Sequence, residues 1–132
     1  MITLDTSGVL ALLNGRDPDH RAARTAMEAS RPPYLVPAGI LAEVGYMVER
    51  RLGAVVVDAF LEDLVSGALS YQGGREDLPR IRELVDKYSD LPLGLADAAV
   101  VACAERHGGA VLTLDHRDFG VVAREGRITV IP

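Results

Sequence analysis

The chain has 132 residues and a hydrophobic fraction of 48%, enough for one domain, 1–132, with a real core and too apolar for disorder. Its formal net charge of −5 excludes a large general nucleic-acid-binding surface, which would be basic, but not a local one. The lone cysteine, Cys103, sits in the apolar stretch 98–104, where it reads as a small hydrophobe in a reducing compartment, not half of a disulfide.

Strand and helix signals alternate along the chain. Residues 2–4 form a short apolar run that predicts a buried strand. Thr6 or Ser7 is placed to cap a helix over 8–13, which Asn14 and Gly15 stop. Asp17 with Pro18 behind it starts a second helix running towards Ser30, ended by Pro32 and Pro33. A strand over 34–36 follows, then a helix over 38–52 with Gly53 as its stop. A helix over 55–65 ends at Gly67, and residues 69–72 read as a third strand. Helices are expected over 77–88, ending near Leu91 and Pro92, and over 95–107, closed by Gly108 and Gly109. Residues 110–114 and 128–131 are the last two strands. The strands are continuous apolar runs, which points to a sheet covered on both faces. The expected fold is a three-layer α/β/α sandwich around a short, mainly parallel sheet of about five strands. The start of the chain shows no signal peptide, and no apolar stretch is long enough to span a bilayer, so a cytoplasmic protein is expected.

Four acidic residues break this apolar pattern. Asp5 ends the first strand and Asp115 follows the fourth. Glu43 has apolar helix neighbours in Ile40 and Met47. Asp97 interrupts an otherwise apolar helix. A buried, unpaired carboxylate costs several kcal/mol or more. Each has a bland reading as a cap, a turn or an exposed residue. Together they point to one cation site, and oxygen ligands favour Mg²⁺, with Mn²⁺ as a substitute. In parallel sheets, ligand sites lie beyond the carboxyl ends of the strands, where Asp5 and Asp115 stand. Because Thr6 and Ser7 can cap the first helix, Asp5 is free for the site. Asp118 is placed behind Asp115, as an outer ligand or a cap for the next turn. Thr113 alternates with Leu112 and Leu114 and can aim a hydroxyl at the acids. Arg117 is the nearest phosphate contact. His20, His107 and His116 show no metal-ligand spacing and read as surface residues. Thirteen of the 14 basic residues are arginine, a bias that GC-rich coding explains without function.

The segments MITLDTS at 1–7, LAEV at 41–44, LGLADA at 93–98 and LTLDHRDF at 112–119 resemble PIN-domain ribonucleases. More closely, they are similar to the VapC toxins of bacterial toxin–antitoxin pairs. The resemblance covers essentially the whole chain. It implies an endoribonuclease that cuts RNA loops, such as those of transfer or ribosomal RNA, with a metal-activated water. It places the family's acids on Asp5, Glu43, Asp97 and Asp115, with Asp5, Asp97 and Asp115 as metal ligands. It makes Thr6 or Ser7 and Thr113 auxiliary hydroxyls. It further implies a homodimer and a small VapB-like antitoxin. Two other classes fit a chain of this size. A receiver or aspartyl-phosphate phosphatase is disfavoured because Thr6 and Ser7, not acids, follow Asp5, and Lys87 lies in a helix. A non-catalytic module with a structural ion is separable only by assay.

Overall fold

The computed structural model describes residues 1–91 and 93–132. Five short strands, β1 (Ile2–Leu4), β2 (Tyr34–Pro37), β3 (Ser70–Gln72), β4 (Ala110–Leu112) and β5 (Thr129–Ile131), form one sheet in the order β3-β2-β1-β4-β5. Every pairing in it is parallel, with Thr3 opposite Leu35 on one side and Val111 on the other. The helices are α1 (Thr6–Leu13), α2 (His20–Ser30), α3 (Leu41–Leu52), α4 (Ala54–Ser66), α5 (Leu78–Lys87), α6 (Leu95–Arg106) and α7 (His116–Ala123).

The strand order fixes the layers. From β1 the chain steps outward to β2 and β3, then returns across β1 to β4 and β5. Crossovers between parallel strands are right-handed, so reversing direction moves the connecting helices to the other face. Helices α1 to α4 therefore cover one face and α5 to α7 the other, giving the expected α/β/α sandwich. The contacts agree: α1 packs on α2 and α3, α3 on α4, and α5 on α6. Helix α6 lies across β1, β2 and β4, and residues 98–104 are all buried. That explains why its sequence is apolar all round, with alanines allowing close approach. The direction reverses between β1 and β4, and a crevice opens beyond their carboxyl ends.

Several local expectations are corrected. The first helix is capped by Asp5, whose side chain accepts from the Gly8 N–H, and not by Thr6 or Ser7. The helix expected from Asp17 starts at His20; Asp17 instead turns the chain by accepting from the Asp19 N–H at 2.8 Å. Residues 38–40 form a 3-10 turn ahead of α3, so the single helix over 38–52 is divided. The sequence pattern does not predict helix α7: it is short and is built around a turn whose start, Asp115, reads equally as a loop. The expected end of α5 at Pro92 falls outside the described residues; the helix itself ends at Lys87 with Tyr88 as its cap.

Two features hold the site's scaffold. Gly8 is buried, and a Cβ there would stand 2.6 Å from the Leu112 carbonyl oxygen. Only glycine lets the first turn of α1 lie against the end of β4. On the opposite face, Glu125 accepts from Lys87 Nζ at 2.5 Å, the Tyr88 hydroxyl at 2.6 Å and Arg80 at 2.8 Å. Arg80 also donates twice to Glu105 on α6. This network ties α5 to α6 and to the turn after α7. Likewise Arg106 pairs through two nitrogens with the buried Asp77, an acid whose burial the sequence did not signal.

Two outcomes follow. Gly8→Ala should lower the melting temperature, at a cost of about 1–3 kcal/mol, because a backbone oxygen has nowhere to move. The hydrogen bonds from Lys87 and Tyr88, reinforced by Arg80, hold the Glu125 carboxyl down at about 2. A depressed acid stabilises the fold above its unfolded value and loses that contribution as pH falls. Denaturant titration should therefore show stability from this network lost between about pH 4.5 and 2, and Glu125→Gln should flatten the profile there.

Candidate functional site

The crevice between β1 and β4 is walled by carboxylates. Asp5 leaves β1 and is buried, 3% exposed. Its Oδ1 accepts from the Gly8 N–H at 2.7 Å and from the Ser7 hydroxyl at 2.8 Å. Its Oδ2 accepts from the Thr113 hydroxyl at 2.6 Å. Ser7 and Thr113 are themselves held: the Ser7 oxygen accepts from the Leu114 N–H and the Thr113 oxygen from the Asp115 N–H, both at 2.9 Å. The extended residues after β1 and β4 are thus stitched through one carboxylate. Charge-assisted donors of this kind are the stronger class of hydrogen bond.

Asp97, Asp115 and Asp118 stand opposite. One oxygen from each lies within 4.8 Å of the others. Asp97 comes from the first turn of α6, Asp115 caps α7 by accepting from the Asp118 N–H at 3.4 Å, and Asp118 follows in that helix's first turn. All three are partly buried. The Asp118 Oδ1 is buried and finds no hydrogen-bond partner among the described residues. Glu43 is exposed on α3 and reaches the crevice by accepting the Thr6 hydroxyl at 2.6 Å. The apolar neighbours of Glu43 do not bury it, because α3 turns Val44 and Val48, not Glu43, to the core.

The electrostatics show one cluster. Burial pushes the Asp97 carboxyl up to about 7, with repulsion from Asp115, Asp5, Asp118 and Glu43 adding to it. Burial also raises Asp5, against the pull of the Thr113, Gly8 and Ser7 donors, and Asp115 adds repulsion. Such a set is costly without a positive charge between its members.

The sequence-selected residues are therefore brought together with different standings. Asp5, Asp97 and Asp115 gather beyond the ends of β1 and β4, Thr113 is buried and donates to Asp5, Ser7 and Thr6 tether Asp5 and Glu43, and Arg117 is exposed on α7. Asp118, expected behind Asp115, stands beside it as an equal member of the tightest group. Its spacing of three from Asp115 signals a helix cap and nothing more; only the position of Asp97 reveals the third carboxylate. The donor set suits a divalent cation: oxygen atoms only, converging, with one buried oxygen unpaired.

Comparison with known proteins gives the family. A profile for the PIN domain matches residues 2–125. Ribonuclease VapC26 of Mycobacterium tuberculosis is 35% identical over 133 residues, covering 98% of each chain. Among solved structures, Mycobacterium tuberculosis VapC20, a Sarcin-Ricin loop cleaving toxin, superposes with a TM-score of 0.78 at 21% identity, covering 92% of this chain and 95% of its own. A toxin–antitoxin complex from Klebsiella pneumoniae gives a TM-score of 0.74 at 22% identity, covering 100% of this chain and 97% of its own. DNA-bound VapBC from Salmonella typhimurium gives 0.70 at 20% identity, covering 98% and 95%.

The raised carboxyl of Asp97 has a signed consequence. Its folded value, about 7, lies above the unfolded 3.8, so the fold favours the protonated form and loses stability as pH rises through that window. In chelator, the melting temperature of the wild type should fall relative to Asp97→Asn between about pH 4 and 7. Equal pH profiles for the two proteins would show that neither burial nor its acidic neighbours raise the Asp97 carboxyl.

Proposed function

Since the chain belongs to the PIN-domain family, alongside the VapC ribonucleases, we propose that it is an endoribonuclease acting as the toxin of a toxin–antitoxin pair, with Mg²⁺ or Mn²⁺ as its cofactor. The observation that carries this reading is the convergence of Asp97, Asp115 and Asp118 beside the buried Asp5 at the reversal point of the sheet. The substrate is single-stranded or looped RNA, whose bases can be splayed into a cleft. The domain extends over 1–132, and the protein works in the cytoplasm. No helix among the described residues is long and apolar enough to cross a membrane.

Asp5, Asp97 and Asp115 would hold the cation, with Asp118 as a fourth oxygen donor. When bound, it supplies charge neutralisation at the phosphate and a lowered pKa for water. Asp5 contributes a fixed oxygen, since Ser7, Gly8 and Thr113 leave it little rotational freedom. Glu43 is exposed and tied only through Thr6, so it is free to take a proton from attacking water. Water attacks phosphorus in line, the bond to the 3′ oxygen breaks, and the products are a 3′-hydroxyl and a 5′-phosphate. Arg117, exposed on α7, reaches a flanking phosphate.

The partner is a VapB-like antitoxin. Helix α4 leaves Val55 83% and Val65 88% exposed, an apolar surface suited to a small chain that also sends a basic side chain into the acids. A homodimer is a further use for such surfaces.

The purified protein should cut RNA with Mg²⁺ or Mn²⁺ and stop on chelation. Asp97→Asn should lower cleavage by roughly 100-fold or more, while its melting temperature in chelator holds or rises. Full cleavage in chelator removes the metal from the mechanism. An antitoxin encoded nearby should co-purify and suppress cleavage; expression without growth arrest would refute the toxin role even if cleavage stands.

A further inference from the structure

Helix α3 carries a feature that the acid cluster does not use. Tyr46 is 60% exposed, and its hydroxyl accepts from Arg50 Nη1 at 2.8 Å. The same guanidinium lies 5.6 Å from the ring centroid. Ring and cation are thus preassembled on the surface of a chain whose net charge is −5.

The register of α3 joins this pair to the site. Tyr46 and Met47 lie three and four residues after Glu43, and Arg50 four and three after them, so the four form one ridge along the helix. The other side of the helix buries Val44 and Val48. The ridge begins at Glu43, which holds the Thr6 hydroxyl at the edge of the crevice, and runs about 10 Å away from it. Arg51 joins Tyr46, Met47 and Arg50 around a shallow depression there.

We propose that this ridge continues the RNA path: one base next to the cleaved linkage stacks on Tyr46, and its phosphate pairs with Arg50 and Arg51. The inference rests on the RNA-cleaving reading of the acids. Its chemistry is that of single-strand binding, in which aromatic faces take bases of any sequence and guanidinium groups take phosphates. The acids repel a phosphate backbone wherever no cation lies between them. A cationic anchor on the adjoining ridge offsets that repulsion on one side of the reacting phosphate.

The test uses fluorescence anisotropy of a short single-stranded RNA on an Asp97→Asn background, in which cleavage is suppressed. Adding Tyr46→Ala should weaken binding by about 5- to 100-fold, while Tyr46→Phe, which keeps the ring, should retain most of it. Arg50→Ala should weaken binding and reduce the salt dependence by about one phosphate contact. In the cleaving protein, Tyr46→Ala should raise KM more than it lowers kcat. An abasic scan of the RNA should find one position whose removal weakens the wild type but not Tyr46→Ala. If Tyr46→Ala cuts and binds RNA like the wild type, the inference fails and the nuclease reading stands. If Tyr46→Ala leaves RNA affinity intact but changes the sedimentation mass of the free protein, the ridge is a protein contact and the inference is overturned. If the wild type does not cut RNA yet binds it through Tyr46, the ridge stands and the nuclease reading fails.

Discussion

The crevice depends on a single buried carboxylate. Asp5 caps the first turn of α1 through the Gly8 N–H and takes the hydroxyl of Thr113 from the end of β4. It therefore closes the sheet's point of reversal while remaining an acid. Burial raises its affinity for protons, and three donors pull it back. An acid used only as a cap would sit at the surface. This one is held inside by Ser7 and Gly8 of α1 and by Thr113 just past β4, segments far apart in sequence, and acids stand near it too. The scaffold thus concentrates negative charge instead of relieving it, the pattern expected where binding something positive completes the structure.

That arrangement builds the two sides of the site differently. Asp5, Ser7 and Thr113 interlock, and each hydroxyl oxygen also accepts a backbone N–H. Asp97, Asp115 and Asp118 sit on helix starts, one on α6 and two on α7. Helix α6 is fixed by burial across the sheet, whereas α7 has eight residues and is steadied through the Glu125 network just beyond it. Distant ion pairs therefore bear on the spacing of the acids, because the turn after α7 is anchored to α5 and α6 through them. Glu43 is a third kind of member, exposed and attached through one hydroxyl.

Hydrophobic burial requires that both faces of the sheet be covered, since its central strands β1, β2 and β4 are apolar and buried. The position of the crevice follows from the strand order, which reverses direction between β1 and β4. The acids then fall where the sheet leaves a gap, and the ridge of α3 extends the same edge outward through Tyr46 and Arg50.

The sequence by itself determined the α/β class, the parallel sheet and the identity of the acids worth attention, because a charge inside an apolar run is visible without coordinates. Asp5, Asp97 and Asp115 all announced themselves in this way. It could not rank them. Glu43 looked embedded among apolar neighbours, yet helix phase turns it outward. Asp118 looked like a cap, yet α6 brings Asp97 against it. Asp5 looked free of capping, yet the close approach of α1 to β4 at Gly8 leaves Asp5 as the group that meets the Gly8 N–H. Helix α7 was illegible because a short amphipathic turn beside a loop has too few residues to show a period. The tertiary structure decided these points because each depends on how two segments distant in sequence approach one another, and pairwise approach is set by packing, not by local pattern.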